Sequence, residues 1–600
     1  MSDRIKRTLF ILMRLYHNQA GNTLMIVAAA VIPLLGLVGG AIDMSRLYLT
    51  KARLQQACDA GALAGRKQMG PGAWSADNGK ANQVALQLFD ANFGTDPYGT
   101  TGTTRSFAEN NRKVTGTASV TVPMTVMRAL GQSSKVLQTT CEAEMRIPNT
   151  DVMFVLDVTG SMASKANNND SLTKIEGLKK AVKCFYEALA KINTSADCGS
   201  TPTGKNSSTA QIRFGFVPYS VNVNVGRLLK NDWIADNWTY QSRVYAGQDW
   251  SYWRSGSADI SCSLINDTNT EQYRNKVSGN GNQKCWYEKR TYGAVYTYKP
   301  ISLNVSGLKG GGNAWNSSVT LPLDADNANV SVSWDGCIEE RPTVRASTYD
   351  PIPSGAKDLD IDMVPYTGDS TTQWGPLLPN AVWGRVSENG SNSYDAVTTG
   401  DLSRNISSSC PAEARKLQVW PSAANTETFE AYVNSLSPTG NTYHDIGLLW
   451  GARLASPTGI FAQENAATST GGQIERHIVF MTDGDTQTAV TNYNAYGVPW
   501  WDRRQTSLSS APSSNDTNAQ VNARFSALCT AIKNKGFTVW TIYFGVKVTT
   551  SSSQNVKDTA ARLKNCASDD HHAFTAADSA TLISNFQDIA DNISQLRLTQ

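Results

Sequence analysis

Six hundred residues are enough for several domains with ample core. Lys and Arg (54) nearly balance Asp and Glu (51), leaving a net charge of +3, and no concentrated basic face points to nucleic acid. Charged residues are only 18%, and the abundance of Asn, Ser, Thr, Gly and Trp reads as a neutral, β-rich, extracytoplasmic surface. The ten cysteines are even in number and contain no Cys-x-x-Cys, which speaks against zinc ribbons and thioredoxin-type chemistry. Scattered pairs in a non-cytosolic chain suggest disulfides.

Residues 1–20 are a basic tail, with Arg4, Lys6, Arg7 and Arg14 against the single acid Asp3. Leu24 to Ile42 then carries no charge. At about 1.5 Å per residue this run spans roughly 28 Å, close to the hydrocarbon thickness of a bilayer. It predicts one transmembrane helix within residues 21–45, in which Pro33 is tolerated. A cleaved signal peptide is the competing reading, with Gly39, Gly40 and Ala41 as small residues for cleavage. The apolar run is longer than the roughly 7–15 residues of a signal-peptide core, which favours an uncleaved anchor. The basic flank then stays in the cytoplasm and residues 46–600 are exported.

Gly21 to Lys67 resembles the start of the TadE/TadG-like proteins of Flp (tight adherence) pilus assembly. The matching pieces are Gly-Asn before the apolar run, Pro33 inside it, Gly-Gly-Ala-Ile-Asp at 39–43 and Leu-Gln-Gln-Ala-Cys-Asp-Ala-Gly-Ala-Leu-Ala-Gly at 54–65. Ile26 stands where pseudopilin members carry a glutamate. The TadG-like members, which join this anchor to a von Willebrand factor type A domain, fit better. The resemblance implies a single-pass protein of the bacterial inner membrane, its bulk periplasmic or surface-exposed.

Residues 46–147 read as a small α+β module. Ser45 to about Ala64 continues as an amphipathic helix with Leu47, Leu54, Cys58 and Leu63 inward. Asn78 to Phe93 is a second helix, and Val114–Val122 and Val136–Met145 are strands. Cys58 and Cys141 lie at opposite ends of the module, placed to staple it. Its residues suggest no chemistry, only a spacer or protein-contact role.

Val152 to Leu156 is a continuous apolar run, the mark of a buried strand in a parallel sheet. It ends in Asp157, Thr159 and Ser161, at the strand end where such sheets bind ligands. One carboxylate and two hydroxyls are hard donors suited to Mg²⁺, Mn²⁺ or Ca²⁺. These residues resemble the metal-ion-dependent adhesion site of von Willebrand factor type A domains, Asp-x-Ser/Thr-x-Ser. That family supplies a threonine from a second loop and an aspartate after a later strand. Thr442, in Thr-Gly-Asn-Thr-Tyr-His-Asp-Ile-Gly, and Asp483, in Ile-Val-Phe-Met-Thr-Asp-Gly, match in the right chain order. The resemblance implies a doubly wound, Rossmann-like α/β domain over residues 150–600. In it Ser161, Thr159 and Thr442 ligate the cation directly, and Asp157 and Asp483 do so directly or through water. An acidic residue of a protein ligand fills the open position.

Within this domain Leu172–Ile192 is a helix with one apolar stripe. Lys174, Lys179, Lys180 and Lys183 read as its solvated face. Ile212–Tyr219 is the next strand, and Cys184 and Cys198 flank the intervening turn, placed to pair locally. Residues 225–435 break the pattern and read as a large β-rich insertion with its own fold, since a run this long is no structureless loop. It holds ten of the fifteen Trp residues, read mainly as core and β-surface. Cys262, Cys285, Cys337 and Cys410 within it allow three pairings. The core resumes with a helix from Thr442 to about Leu454, a strand at Ile478–Met481, a helix at Val521–Lys535, a strand at Phe537–Phe544 and a last helix capped by Asp578. Cys529 and Cys566 resemble a pair that recurs in TadG-like C-terminal regions, which implies a bond between them.

Asp-Val-Thr-Gly-Ser also looks like the Asp-x-Thr-Gly-Thr loop of aspartyl-phosphate enzymes, where the aspartate is a nucleophile. The haloacid-dehalogenase hydrolases usually carry a second aspartate two residues on, where this chain has Thr159, and the phosphate pumps have many membrane spans. Asp358, Asp360 and Asp362 alternate as in a Ca²⁺ loop, but Met363 replaces the required glycine, and an exposed polar strand is expected. Asp569 to His572 reads as a hydrated loop. The expected function is cation-dependent binding to a protein or surface ligand or to a pilus or envelope component, without catalysis and without nucleic acid. A structural scaffold of the pilus machinery is the alternative.

Overall fold

The computed structural model describes residues 20–600 apart from 70–73, 111–112, 145–148, 191, 200–210, 251–253, 258–270, 278–284, 387–390, 401–405, 421–426, 468–473, 595–596 and 599–600. The basic tail expected at residues 1–20 lies almost wholly outside the described residues, as does Cys262. The fold is mixed α/β with several sheets. The described residues divide into two units, one within 1–147 and 594–600 and one within 148–593.

In the first unit, α1 (Ala20–Met69) and α2 (Ala76–Phe93) pack with an antiparallel sheet. The anchor segment and the amphipathic segment read from the sequence form one continuous helix, with Pro33 inside it. Its side chains Met25, Ile26, Val27, Leu34, Leu37 and Val38 are exposed. Among the described residues, no helix is long and apolar enough to cross a membrane. Further along, Leu54, Ala57, Cys58 and Ala62 are fully buried.

The sheet runs β1 (Thr101–Asn110), β2 (Lys113–Pro123), β3 (Ser134–Glu144) and then the two-residue strand Arg597–Leu598. β2 buries every second residue, as a one-sided sheet requires. Its Val114, Ala118, Val120 and Val122 join Phe89, Phe93 and Phe107 in one core. Cys58 is bonded to Cys141. The Asp43 carboxylate closes the turn before β3, accepting the backbone N–H groups of Thr125 (2.9 Å), Val126 (3.1 Å) and Met127 (2.8 Å).

The second unit is organised on a six-stranded sheet. Its strands are β4 (Asn149–Asp157), β5 (Ile212–Tyr219), β6 (Arg415–Gln418), β7 (Ile474–Thr482), β8 (Thr538–Phe544) and β9 (Ala573–Ala576). The order is β6-β5-β4-β7-β8-β9, parallel throughout except for the antiparallel edge strand β6. β4 and β5 are covered on both faces, so their continuous apolar composition follows from the topology.

On one face, Phe154 and Phe214 meet Phe185 of α3 (Lys174–Ala190), and Phe154 also meets Phe586 of the last helix (Ser579–Ile593). On the other lies α4 (His444–Ala455), whose Gly447 and Gly451 let it sit against Tyr219 and Val155. A Cβ at either would stand 2.5 Å or less from those side chains. α5 (Ser514–Asn534) begins with a capping box from Ser513 and Asp516, several residues before its expected start, and packs beside α4.

The insertion leaves after β5 and returns as β6. Its longest feature is the antiparallel pair Asn237–Trp250 with Cys285–Asn304. Among the described residues its core is continuous with that of the sheet: Trp334, Ile338, Trp374 and Leu377 belong to the same buried cluster as Leu449 and Trp450 of α4.

A fully buried polar network lies at that junction. Glu340 accepts from Arg453 (2.7 Å), Trp450 (2.7 Å) and Trp374 (3.0 Å). Arg524 of α5 donates to Asp445 (3.0 Å), Thr343 (3.0 Å) and Asp358. Asp358 is therefore buried in a short 3₁₀ turn, not on an exposed polar strand, and Asp362 is ion-paired with Lys535. Cys184–Cys198, Cys337–Cys410 and Cys529–Cys566 are bonded.

Candidate cation site

Three loops meet at the C-terminal ends of β4 and β7. The first follows β4, which ends at Asp157, and turns through a short 3₁₀ segment at Gly160–Ala163. The second, residues 439–442, precedes α4. The third follows β7 and carries Asp483. Backbone bonds join the first two: Thr439 N–H donates to Val158 O (2.7 Å) and Gly160 N–H to Gly440 O (2.9 Å). Gly440 has φ +70°, and a Cβ there would lie 2.9 Å from Ser409 Cβ, so both its conformation and its surroundings require glycine. Thr442 and Gln487 exchange N–H···O bonds of 3.0 and 3.1 Å, which fastens the second loop to the third.

Three nominated side chains form a hydrogen-bonded chain, and a fourth, Asp157, is joined to it through the Thr159 backbone. Ser161 Oγ donates to Asp483 Oδ1 (2.7 Å) and lies 3.0 Å from Thr159 Oγ1. Ser161 has one proton, so the Thr159 hydroxyl is the donor to Ser161. Thr159 N–H donates to Asp157 Oδ1 (2.9 Å), and the Thr482 hydroxyl donates to Asp157 Oδ2 (2.8 Å). Asp157 is fully buried; Thr159, Thr442 and Asp483 are each at most 4% exposed. Thr442 is placed in the adjoining loop by its backbone; among the described residues its hydroxyl makes no hydrogen bond to the other four.

Burial, and next the charge of Asp483, push the Asp157 carboxyl up to about 7. Two acids on facing strand ends resist being charged together unless a cation stands between or beside them. In this structure that cation is Lys174. Its Nζ lies 2.9 Å from Asp483 Oδ2, with side-chain exposures of 12% and 0% for the pair. The expectation of a solvated lysine face on α3 is thus corrected at three positions. Lys174 turns to Asp483, Lys183 lies 3.4 Å from Glu430, and Lys179 donates to Asn434 O. Periodicity places a lysine on a helix but does not show an acid that arrives hundreds of residues later.

Sequence reasoning gave neither Thr482 nor His444 a place at the site. His444 Nε2 lies 2.9 Å from Thr482 Oγ1 and Nδ1 lies 3.1 Å from Thr486 Oγ1, so the ring bridges the two hydroxyls. Burial first, then the charge of Arg562, lowers the His444 imidazole to about 3, so the ring is neutral and orients Thr482. The signal available was the residue before Asp483: a hydroxyl at the end of a buried strand needs a partner.

Among the described residues no group of three or more His, Cys, Asp or Glu side chains forms a metal cage. The set here differs in kind: two carboxylates and three hydroxyls, all hard oxygen donors, with an ammonium already held by one of them. That chemistry fits Mg²⁺ or Mn²⁺ better than a soft metal.

Residues 21–77 match the family described as "Putative Flp pilus-assembly TadE/G-like". No curated protein matches the chain. Among solved structures the chain is similar to the pilus adhesin SpaC from Lactobacillus rhamnosus GG, at 9% identity over 82% of this chain and 34% of that one, with a TM-score of 0.29. The PilB minor pilin from Streptococcus sanguinis aligns at 10% identity over 82% of this chain and 78% of that one, TM-score 0.28. Proximal thread matrix protein 1 from the mussel byssus, with a zinc-occupied MIDAS motif, aligns at 14% identity over 32% and 35%, TM-score 0.18. The chain spans about a third of the length of SpaC. TM-scores this low do not define a shared overall fold.

Proposed function

We propose that this is a membrane-anchored protein associated with Flp/Tad pilus assembly, and that its second unit is a von Willebrand factor type A domain binding a protein or surface ligand through a divalent cation. The observation that carries the reading is the hydrogen-bonded chain Thr159–Ser161–Asp483 across the ends of β4 and β7. The sheet order, with one antiparallel edge strand and helices on both faces, supports the domain assignment. The match at residues 21–77 supports the pilus association. The exposed apolar side chains of Met25, Ile26, Val27, Val31, Leu34, Leu37 and Val38 support an anchor in the inner membrane, since a solvated helix would bury such a surface.

In this reading Ser161, Thr159 and Thr442 supply hydroxyl oxygens, and Asp157 and Asp483 supply charge. The bound cation, Mg²⁺ first and Mn²⁺ or Ca²⁺ as substitutes, offers Lewis-acid attraction for a ligand carboxylate. The chain's own contribution is to hold the donors in place. Thr482 and the N–H of Thr159 fix both oxygens of Asp157, and the 439–442 loop is pinned on both sides. Those zipped loops also favour a second reading, a scaffold in which the site locks the fold and binds no ligand.

Calorimetric titration of the purified full-length chain with Mg²⁺ and Mn²⁺ tests the cation site. Saturable one-site binding, lost in a Ser161→Ala/Thr442→Ala variant that retains its melting temperature in chelator, is the expected result. Absence of binding both in the wild type and in a Lys174→Met variant, which lacks the ammonium held by Asp483, overturns the adhesion-site mechanism.

A further inference from the structure

The Lys174 ammonium stands on the carboxylate that would serve the divalent ion. We propose that Lys174 is the resident counter-cation of this site, neutralising Asp483 when no metal is present, and that loading a divalent cation requires its displacement. The inference rests on the cation-site reading above and adds to it a residue that sets the affinity.

The placement of Lys174 is built, not incidental. Its backbone N–H donates to Ser164 O (2.8 Å), which ties the start of α3 to the end of the Asp157 loop. From there the side chain crosses Gly545, just past the end of β8. Gly545 has φ +75°, and a Cβ there would stand 3.0 Å from Lys174 Cε, 3.4 Å from Cδ and 3.5 Å from Nζ. Any other residue at 545 crowds the path the lysine takes. The amine then lies 2.9 Å from Asp483 Oδ2, while Ser161 occupies Oδ1 of the same carboxylate. Asp483 is thus satisfied on both oxygens by groups of the chain itself.

Two consequences follow from charge alone. A divalent ion arriving beside Asp483 meets a fixed positive charge at hydrogen-bond range, which weakens its binding. Without metal, the same charge stops Asp157 and Asp483 from destabilising the sheet ends. Lys174 therefore sets a threshold: the site stays folded when empty and loads only once the cation concentration suffices to move the lysine away.

The test compares the full-length wild type with Lys174→Met, which keeps length and removes charge, and Lys174→Arg, which keeps charge. Each is titrated with Mg²⁺ and Mn²⁺ by calorimetry and melted in chelator. Lys174→Met is expected to bind about tenfold more tightly or better, the value of one partly buried charge pair, and to melt at a lower temperature than wild type in chelator. Lys174→Arg is expected to stay near wild type in both. Binding by Lys174→Met but not by wild type is the same result in stronger form. Equal affinities, or an unchanged melting temperature of Lys174→Met in chelator, overturn the proposal and leave the cation site standing. If neither wild type nor Lys174→Met binds either metal, the cation site and the displacement fall together.

Discussion

Arg524→Met is the substitution that most directly tests how the insertion is fastened to the sheet. Arg524 is fully buried and pairs with Asp445 and Asp358, both at most 1% exposed. Methionine matches the aliphatic stem and fills part of the space between Tyr349 and Tyr496, so the main loss is charge and hydrogen bonding. Two charge-assisted bonds at roughly 2 kcal/mol each give about 4 kcal/mol, in the range of about 3–5 kcal/mol for breaking a buried ion pair. The loss is also pH-dependent. Burial already pushes Asp445 up to about 6 in spite of Arg524. A carboxyl raised above its unfolded value of about 3.9 costs stability as pH rises through the interval between the two. In the wild type that decline ends near pH 6; without the guanidinium it extends higher. The variant should therefore lose more stability at pH 8 than at pH 5, and adding Asp358→Asn and Asp445→Asn should restore much of the loss. Tryptophan fluorescence during urea unfolding is the assay, because among the described Trp residues only Trp74 lies outside the second unit. A cost below about 1 kcal/mol at both pH values, against the expected buried-pair range, would refute the idea that this network clamps the insertion.

Two further outcomes are expected. His477 is buried and accepts from Trp540 Nε1 (3.2 Å); burial first, then the His572 charge, lowers its imidazole to about 4. The stability it preserves is full above pH 6.5 and is lost as pH falls towards 4, by roughly 3 kcal/mol. His477→Gln should flatten that limb of the pH–stability curve, and an unchanged curve would count against a neutral buried ring. Asp43→Ala removes the acceptor of three backbone N–H groups and should cost the first unit about 2 kcal/mol. Hydrogen exchange of residues 125–127 should accelerate while the tryptophan-monitored melt stays in place.

Much of the second unit was legible because its strands are buried on both faces. Val152–Leu156 and Ile478–Met481 carry unbroken apolar runs, and α3 has a clear stripe. β6 escaped notice because Arg-Lys-Leu-Gln at a sheet edge has four residues, one buried, and no period to read. β1 escaped for the same reason: of its ten residues only Phe107 is buried. At the candidate site the acidic and hydroxyl residues could be named because their chain order resembles a known pattern. Lys174 and Asp358 were misread because each is defined by a partner far along the chain, Asp483 in one case and Arg524 in the other. Local spacing records which residues share a face; it does not record which distant charge will be brought against them.

The first unit takes its last strand from the far end of the chain, where Arg597 and Leu598 pair with Glu144 and Ala143. A ribosome delivers β3 long before it delivers that partner. During the interval the outer edge of β3 is an open template for any passing extended segment, the usual hazard of an unpaired sheet edge. Cys58 and Cys141, in contrast, are both present early, and their bond ties α1 to β3 without waiting for the C-terminus. The bond can therefore hold the helix against β3 before the closing strand is made, and that strand then covers the open edge. A reducing compartment would leave the helix and β3 unbonded for the whole time it takes to make the second unit.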